Sequence, residues 1–191
     1  MTNPRIIAGK ARGHRLQSVP GDTTRPITDM VKEALFNILG QDIIDATLLD
    51  VFGGTGSVGI EALSRGAAFV QFLDLNHRAV DTIKKNLIST RLESGGNVLR
   101  ADAFVYLKQP PTRQFDFVFI APPQYKGMWI QAMTIVDGNS KWLAPDGCVI
   151  VQIDPIEYQA LDLKEFIEVD QRKYGNTILI FYEFKSAQQT G

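Results

Sequence analysis

The chain has 191 residues and a mass of 21.2 kDa, with 45% hydrophobic residues, 21% charged residues and a formal net charge of −1. This composition excludes a multidomain assembly, long disorder and a collagen-like repeat, and it predicts one α/β domain with at most a small appendage. No run approaches the roughly 20 apolar residues that span a bilayer, and residues 1–5 lack the apolar core of a signal peptide. We therefore expect a cytoplasmic protein with no membrane partner.

The few cysteine and histidine residues argue against disulfide and metal chemistry. Cys148 is the single cysteine, and its apolar neighbours indicate a small buried side chain rather than a nucleophile. His14 and His77 are far apart in the sequence, which is not the spacing of a zinc site. We expect no metal cofactor.

The basic residues are concentrated near the N-terminus. Residues 1–32 contain six lysine and arginine residues against two aspartates, so they are net positive while the rest of the chain is net negative. Alone, such a run is typical of a solvated terminus. A phosphate backbone also requires a local basic patch, so the position of this run in the fold decides between the two interpretations.

The first predicted elements form an N-terminal extension. Residues 5–9 and 14–19 are short runs with apolar residues around two glycines, which predicts a hairpin. From Thr28, apolar residues recur at helical spacing until Gly40, a typical helix stop. We expect residues 1–40 to be a basic hairpin and helix packed on a main domain of residues 41–191.

Strands and helices alternate in the main domain. Strands are predicted at Ala46–Val51, Ala68–Leu73, Asn97–Arg100, Phe115–Ile120 and Cys148–Ile153. Helical patterns between them predict parallel βαβ units, hence a doubly wound sheet with helices on both faces. Phe166–Val169 and Thr177–Phe184 are joined by a short turn, which predicts an antiparallel hairpin at one edge. The expected architecture is a mostly parallel, seven-stranded α/β sheet.

A glycine-rich stretch lies between the first of these strands and the next helix. Residues 50–59 read DVFGGTGSVG, in which Gly54, Gly56 and Gly59 spell G-x-G-x-x-G. This arrangement lets the backbone turn tightly and approach a ligand at a helix N-terminus. The pattern alone is weak, because glycines also serve turns without a ligand, but the flanking strand and helix favour a nucleotide-like ligand.

Three aspartates lie at or just after predicted strand ends, at Asp50, Asp74 and Asp102. Asp74 is about 20 residues beyond Gly54, where a carboxylate accepts hydrogen bonds from ribose hydroxyls. Three carboxylates disfavour a pyrophosphate and suit a ligand that carries an ammonium, a sulfonium and an adenosine. In such a ligand Asp50 can bind the amine, Asp74 the ribose and Asp102 the adenine edge. This favours S-adenosylmethionine, and an NAD-dependent oxidoreductase is the alternative that the glycine pattern permits.

The loop after the fourth predicted strand is stiff. Residues 121–125 read APPQY, and the two prolines fix their own φ angles and restrict the preceding residue. A rigid loop can position chemistry at the sheet edge. A proline pair is also a common strand end, and Tyr125 and Trp129 are equally compatible with core positions.

Five segments together carry a family resemblance. They are Arg5–Gly9, Thr24–Pro26, Lys32–Leu39, Asp50–Gly56 and Glu61–Ala67. Over nearly the whole chain the sequence closely resembles the bacterial small-subunit ribosomal RNA guanine-N2 methyltransferases. Its glycine loop is shared by most class I methyltransferases, whereas the N-terminal segments and Glu61–Ala67 are specific to this family. The resemblance implies a Rossmann-like, S-adenosylmethionine-dependent enzyme that methylates the exocyclic N2 amine of a guanine.

The resemblance also implies roles for individual residues. Asp50, Gly54 and Gly56 line the methionine part of the cofactor, Asp74 takes its ribose, and Asp102 with Ala103 takes its adenine. The implied RNA-binding residues are Arg5, Lys10, Arg12, Arg15 and Arg25. The implied partner is small-subunit ribosomal RNA or an assembling small subunit, and we expect a monomer.

One motif departs from the family pattern. The family has Asp or Asn, Pro, Pro, then Tyr or Phe, whereas this chain has Ala121, Pro122, Pro123, Gln124 and Tyr125. Ala121 offers only its backbone carbonyl to orient the amine. We hypothesise that Gln124 supplies the missing acceptor and that Tyr125 stacks on a flipped guanine. The alternative is a family member that has lost catalysis and acts as an RNA-binding or ribosome-assembly protein.

Overall fold

The protein divides into two compact units, Met1–Ala103 and Phe104–Gly191. Its structure, a computed structural model, describes residues 3–21, 27–124 and 126–186. The first unit holds the N-terminal extension and the glycine loop, and the second holds the Pro-Pro loop and the carboxyl-terminal strands. The expected domain boundary at residue 40 stays a prediction.

The N-terminal segment, which we define as residues 3–21, turns back on itself as the sequence predicts. Arg5 and Arg15 form an isolated antiparallel bridge. Inside it, the Ile6 N–H donates to the His14 carbonyl at 2.9 Å, and the Gly13 N–H donates to the Ile6 carbonyl at 2.8 Å. The segment is therefore a hairpin with one bridging pair.

Helix α1, Asp29–Leu39, follows this segment. The Thr28 hydroxyl accepts a hydrogen bond from the Val31 N–H at 3.3 Å, which caps the first turn. At the other end, Gly40 has a φ of 53° and stops the helix. Both ends agree with the boundaries that the sequence indicates.

Three parallel strands form the sheet of the first unit. They are β1 (Thr47–Asp50), β2 (Phe69–Asp74) and β3 (Gly96–Arg100), with α2 (Ser57–Ser64) and α3 (His77–Thr90) as crossovers. β2 pairs with both neighbours, so it is central among the three. Its residues 70–73 are all buried, as expected for a strand covered on both faces. The carboxyl ends of the three strands lie at one edge, which positions the glycine loop there.

The second unit combines a parallel pair with an antiparallel hairpin. Its elements are α4 (Ala103–Leu107, starting at the boundary), β4 (Phe115–Ile120), α5 (Met128–Gly138), β5 (Leu143–Ile153), β6 (Phe166–Tyr174) and β7 (Thr177–Phe184). β4 pairs with β5 in parallel, and β7 is antiparallel to both β5 and β6. Trp142 anchors the core, since its indole N–H donates to the Leu107 carbonyl at 2.8 Å and its ring stacks on Tyr106.

The described residues contain seven strands, mostly parallel with an antiparallel carboxyl-terminal pair, and this confirms the predicted fold class. β4 and β7 have the predicted bounds. β5 begins at Leu143 rather than Cys148, because Leu143 pairs with Phe115 across an irregularity in the register. β6 continues to Tyr174 rather than Val169. Within the described ranges, no helix is both long and apolar enough to span a membrane.

Candidate functional site

The glycine loop, defined here as residues 51–56, joins β1 to α2 at the carboxyl edge of the first unit's sheet. Gly54 and Gly56 have φ values of 54° and 78°, in the left-handed region that glycine adopts without strain. The Gly53 N–H donates to the Leu73 carbonyl and the Gly56 N–H donates to the Gly53 carbonyl, each at 2.7 Å. The loop is therefore folded tightly against the end of β2.

The three glycines of the G-x-G-x-x-G pattern meet different constraints. A Cβ on Gly59 would lie 2.2 Å from the ring of Phe72, so this glycine allows α2 to approach β2. A Cβ on Gly56 would lie 3.1 Å from Ile60, which is a tight contact. A Cβ on Gly54 would meet no described atom within 4 Å. The loop therefore presents an open side at Gly54, where a ligand can approach the backbone.

Asp74 is fixed by backbone groups at the end of β2. One carboxylate oxygen accepts from the Gly54 N–H at 2.9 Å, and the other accepts from the Asn76 N–H at 2.8 Å. These bonds orient the carboxylate and tie the glycine loop to the start of α3, whose N-cap is Asn76. The predicted neighbours Gly54 and Asp74 are thus brought together.

Asp50, the last residue of β1, is 2% exposed. Burial and the nearby Asp74 carboxylate raise the pKa of Asp50 to about 7, and a hydrogen bond from the Gly59 backbone opposes that rise. Within the described part of the chain, the ion pairs do not include Asp50. A buried carboxylate beside an open glycine loop fits a cationic ligand group, which would stabilise its charged form.

Asp102 and Ala103 follow β3 at the same sheet edge. Asp102 is partly exposed, and Ala103 is buried and begins α4. The structure thus gathers the predicted cofactor residues of the first unit at the carboxyl ends of three adjacent strands. Their individual roles toward a ligand stay predictions.

A buried polar network, which the sequence analysis missed, joins α2 to the N-terminal segment. The Glu61 carboxylate accepts hydrogen bonds from the backbone N–H groups of Ile7 at 2.8 Å and Ala8 at 3.0 Å. It also pairs with Lys32 at 3.5 Å and with Arg65 at 2.8 Å. Glu61 and Lys32 both have fully buried side chains. Both residues lie in family-specific segments, which is the one sequence signal that pointed to them.

Ser64 and Gly9 complete the docking of the N-terminal segment on α2. The Ser64 hydroxyl accepts from the Ala11 N–H at 2.9 Å and donates to the Ala8 carbonyl at 2.6 Å. The Lys10 N–H donates to the Ser64 carbonyl at 2.8 Å. A Cβ on Gly9 would lie 1.8 Å from that carbonyl oxygen, so only glycine permits this approach.

The predicted RNA-binding residues are exposed where the structure describes them. Lys10, Arg12 and Arg15 are exposed on the N-terminal segment. Arg5 is exposed too, and it forms an ion pair with Asp29 at 2.6 Å. Arg25 lies outside the described residues. Four cationic side chains thus share one short hairpin.

The Pro-Pro loop belongs to the second unit, directly after β4. Ala121, Pro122 and Pro123 are partly exposed, Gln124 is exposed, and Tyr125 lies outside the described residues. Trp129, by contrast, is 1% exposed on α5, and its indole N–H has no hydrogen-bond partner within the described ranges. The catalytic roles predicted for this loop stay predictions.

Proteins of known sequence and structure resemble this chain over most of its length. The family model described as "Conserved hypothetical protein 95" matches residues 4–183. A "Ribosomal RNA small subunit methyltransferase D" of Haemophilus influenzae is 39% identical, covering 90% of this chain and 93% of the relative. A "Putative rRNA methyltransferase YlbH" of Bacillus subtilis is 33% identical, covering 94% and 98%. The solved structure of "Putative methyltransferase yhhF" from Escherichia coli matches with a TM-score of 0.85 at 29% identity, covering 96% and 98%.

Proposed function

The chain belongs to the family described as Conserved hypothetical protein 95, and from this membership we propose that it is an S-adenosylmethionine-dependent methyltransferase of small-subunit ribosomal RNA. Relatives named as rRNA methyltransferases, 39% and 33% identical over most of the chain, support this reaction class. The acceptor we propose is the exocyclic N2 amine of a guanine. The observation that carries the proposal is the open glycine loop with a buried carboxylate and a backbone-fixed carboxylate beside it.

The residues of the glycine loop fit the methionine part of the cofactor. When bound, S-adenosylmethionine supplies a methyl group on a positively charged sulfur. The open side of Gly54 admits a ligand to the backbone, and Gly56 holds the turn in its left-handed conformation. Asp50 is the proposed partner of the ammonium group, because its buried carboxylate is costly to ionise without a cation.

The next two strand ends fit the nucleoside. Asp74 is proposed to accept hydrogen bonds from the ribose hydroxyls, and its orientation is already fixed by the N–H groups of Gly54 and Asn76. Asp102 and Ala103 are proposed to hold the adenine. An NAD cofactor is disfavoured, because the carboxylates at this edge repel a pyrophosphate.

We assign the acceptor side to the Pro-Pro loop. The guanine amine is conjugated to its ring, so its lone pair needs orientation by hydrogen-bond acceptors before it attacks the methyl carbon. Ala121 contributes its carbonyl oxygen, and Gln124 contributes its amide oxygen in place of the acidic or amide side chain of the family motif. The new bond from nitrogen to the methyl carbon would form as the bond from that carbon to sulfur breaks, which leaves S-adenosylhomocysteine, and the amine proton would pass to water. Tyr125 is proposed to stack on the flipped base.

The N-terminal hairpin is the proposed RNA contact. Lys10, Arg12 and Arg15 are exposed on it, and cationic side chains of this kind neutralise phosphates without reading sequence. Arg5 and Arg25 complete the proposed set. The proposed partner is an assembling small ribosomal subunit in the cytoplasm, and we propose that the protein binds it as a monomer.

Methyl transfer to isolated small subunits tests the proposal. Subunits from cells lacking the protein should accept a labelled methyl group from S-adenosylmethionine, and mass mapping should place it on a guanine N2. Gln124→Ala should lose on the order of 100-fold in rate, about 3 kcal/mol of transition-state stabilisation. Gln131→Ala, at an exposed position of α5, is the matched control and should retain the wild-type rate. Equal rates in both variants would remove Gln124 from the mechanism.

Ala121 favours one second candidate function. A family member without the acidic or amide residue at this position can persist as an RNA-binding or assembly protein that uses the cofactor as a structural ligand. Titration with S-adenosylhomocysteine followed by a methyl-transfer assay separates the two, because both candidates bind this cofactor product and only the enzyme transfers a methyl group. Binding of the cofactor product and of small subunits, without any transfer, would establish the second candidate.

A further inference from the structure

We propose that Lys32 and Asn86 are positioning residues that couple RNA binding at the N-terminal segment to cofactor binding at the glycine loop. This inference rests on the proposed function, and it adds an energetic link between the two binding surfaces. Both residues are fully buried. Asn86 bonds the N-terminal segment to the glycine loop, and Lys32 bonds the same segment to Ser57, the residue directly after that loop.

Asn86, on α3, forms the first bridge. Its side-chain N–H donates to the carbonyl of Thr55, between the two left-handed glycines, at 2.9 Å, and to the carbonyl of Gln17 at 3.1 Å. Its amide oxygen accepts from the Gln17 N–H at 2.7 Å. One buried amide group therefore satisfies backbone groups of the glycine loop and of the N-terminal segment at the same time.

Lys32, on α1, forms the second bridge from another direction. Its ammonium donates to the hydroxyl of Ser57, the residue directly after the glycine loop, at 3.0 Å. It also donates to the backbone carbonyl of Arg5. Glu61, at 3.5 Å from the Lys32 ammonium, binds two further N–H groups of the same segment. Burial lowers the pKa of Lys32, and the Glu61 carboxylate opposes that change.

The N-terminal segment depends on side chains of α2 and α3 for part of its backbone hydrogen bonding. Internal backbone hydrogen bonds around the bridge between Arg5 and Arg15 satisfy some of its N–H groups, and side chains of α2 and α3 accept from several others. Those N–H groups belong to Ile7, Ala8, Ala11 and Gln17. Because buried polar groups are costly to leave unpaired, a shift of the segment must be accompanied by a shift of its helix partners.

The proposed RNA contacts lie on the N-terminal segment between the residues that Lys32 and Asn86 bind. Lys10 and Arg12 are exposed, while the backbone N–H of Lys10 is bonded to the end of α2. RNA that holds these cations restrains the segment, and the bridges pass that restraint to Thr55 and Ser57. A cofactor that orders the loop acts through the same groups in the opposite direction. The cofactor must then change the affinity for RNA by the same factor by which RNA changes the affinity for the cofactor, because coupling between binding sites is reciprocal.

Binding to small subunits with and without S-adenosylhomocysteine tests this coupling. The probe is small ribosomal subunits isolated from cells lacking the protein, with affinity measured by thermophoresis of labelled protein. We expect saturating S-adenosylhomocysteine to tighten wild-type binding at least fivefold. Asn86→Leu, which removes the first bridge, should bring this ratio close to one.

Two further variants keep the test sharp if Asn86→Leu is unstable. Ser57→Ala removes only the loop-side bond of Lys32 and leaves the Glu61 pair, and it should lower the ratio at least twofold. Lys85→Met, next to Asn86 on the exposed face of α3, is the control and should keep the wild-type ratio. Urea denaturation confirms that each variant is folded. A merely structural defect would lower the affinity for small subunits equally with and without S-adenosylhomocysteine, so it would leave the ratio of the two affinities unchanged.

The outcomes separate the coupling from the proposed function. If the wild type binds both partners and methylates RNA, but the ratio is one or is unchanged in both Asn86→Leu and Ser57→Ala, the coupling is wrong and the function stands. If the wild type binds neither S-adenosylhomocysteine nor small subunits, the proposed function fails, and the inference fails with it.

Discussion

Neutralising Asp50 should remove a large part of the pH dependence of stability in the cofactor-free protein. Burial and the Asp74 carboxylate raise the pKa of this side chain to about 7 in the folded state, against about 4 for an aspartate in an unfolded chain. The folded state therefore binds the proton more tightly than the unfolded state. The resulting stability is complete below about pH 4, and it is lost as the pH rises through about 7.

The size of the effect follows from the difference between the two pKa values. The two pKa values differ by about three, which corresponds to roughly 4 kcal/mol in the free energy of unfolding between about pH 4 and pH 7. Between pH 5 and pH 8 the loss should be about 3 kcal/mol, because the folded-state pKa lies about two units above the lower pH. Asp50→Asn has no proton to lose, and its amide oxygen can still accept the hydrogen bond from the Gly59 backbone.

Urea denaturation at the two pH values measures this difference. The wild type should lose about 3 kcal/mol more than Asp50→Asn between pH 5 and pH 8. Asp81→Asn, at an exposed position of α3, controls for the loss of a carboxylate and should follow the wild type. S-adenosylhomocysteine should reduce the wild-type loss by stabilising the charged carboxylate, and it should bind Asp50→Asn more weakly. Identical pH profiles for wild type and Asp50→Asn would refute the electrostatic account of the site.

Three other substitutions test the packing and the loop. Gly59→Ala should destabilise the fold by about 1–3 kcal/mol in urea denaturation, because its methyl group would lie 2.2 Å from Phe72; an unchanged midpoint would contradict the close approach of α2 to β2. Gly54→Ala should cost only about 1 kcal/mol, from its left-handed φ, yet weaken S-adenosylhomocysteine binding in calorimetry; unaltered affinity would show that the ligand does not approach Gly54. Trp142→Phe should lower the free energy of unfolding by about 1 kcal/mol in urea denaturation, because the Leu107 carbonyl loses the 2.8 Å hydrogen bond from the indole N–H and keeps the bond from the Asn139 amide; an unchanged midpoint would contradict a role of this bond in stability.

The parts of the fold that follow local patterns could be predicted from the sequence. β4 and β7 are continuous runs of apolar and aromatic residues, and their bounds were predicted correctly. The second half of β6 has no alternation of apolar and polar residues, because it carries the polar residues Asp170, Gln171 and Arg172 in succession. Among the described strands β6 pairs only with β7, so water can solvate these side chains and no hydrophobic pattern marks the strand.

The polar residues that organise the site could not be predicted in the same way. Asn86 sits in an amphipathic helix pattern where an asparagine is ordinarily solvated, yet it is fully buried. Its burial depends on Gln17 and Thr55, which are distant in sequence. Lys32 likewise raised the apparent positive charge of the N-terminal run, although its side chain is buried against Glu61. Contacts between distant segments decide these cases, and they leave no periodicity in the sequence.

The buried charge of Glu61 gives a physical reason for the family-specific motifs. Three of those motifs are Arg5–Gly9, Lys32–Leu39 and Glu61–Ala67. In the structure they meet at one carboxylate, which accepts from the N–H groups of Ile7 and Ala8 and pairs with Lys32 and Arg65. Removing one partner of a buried ion pair leaves an uncompensated charge at a cost of about 3–5 kcal/mol. These motifs therefore act as one unit, and what they jointly hold in place is the hairpin against the helix that follows the glycine loop.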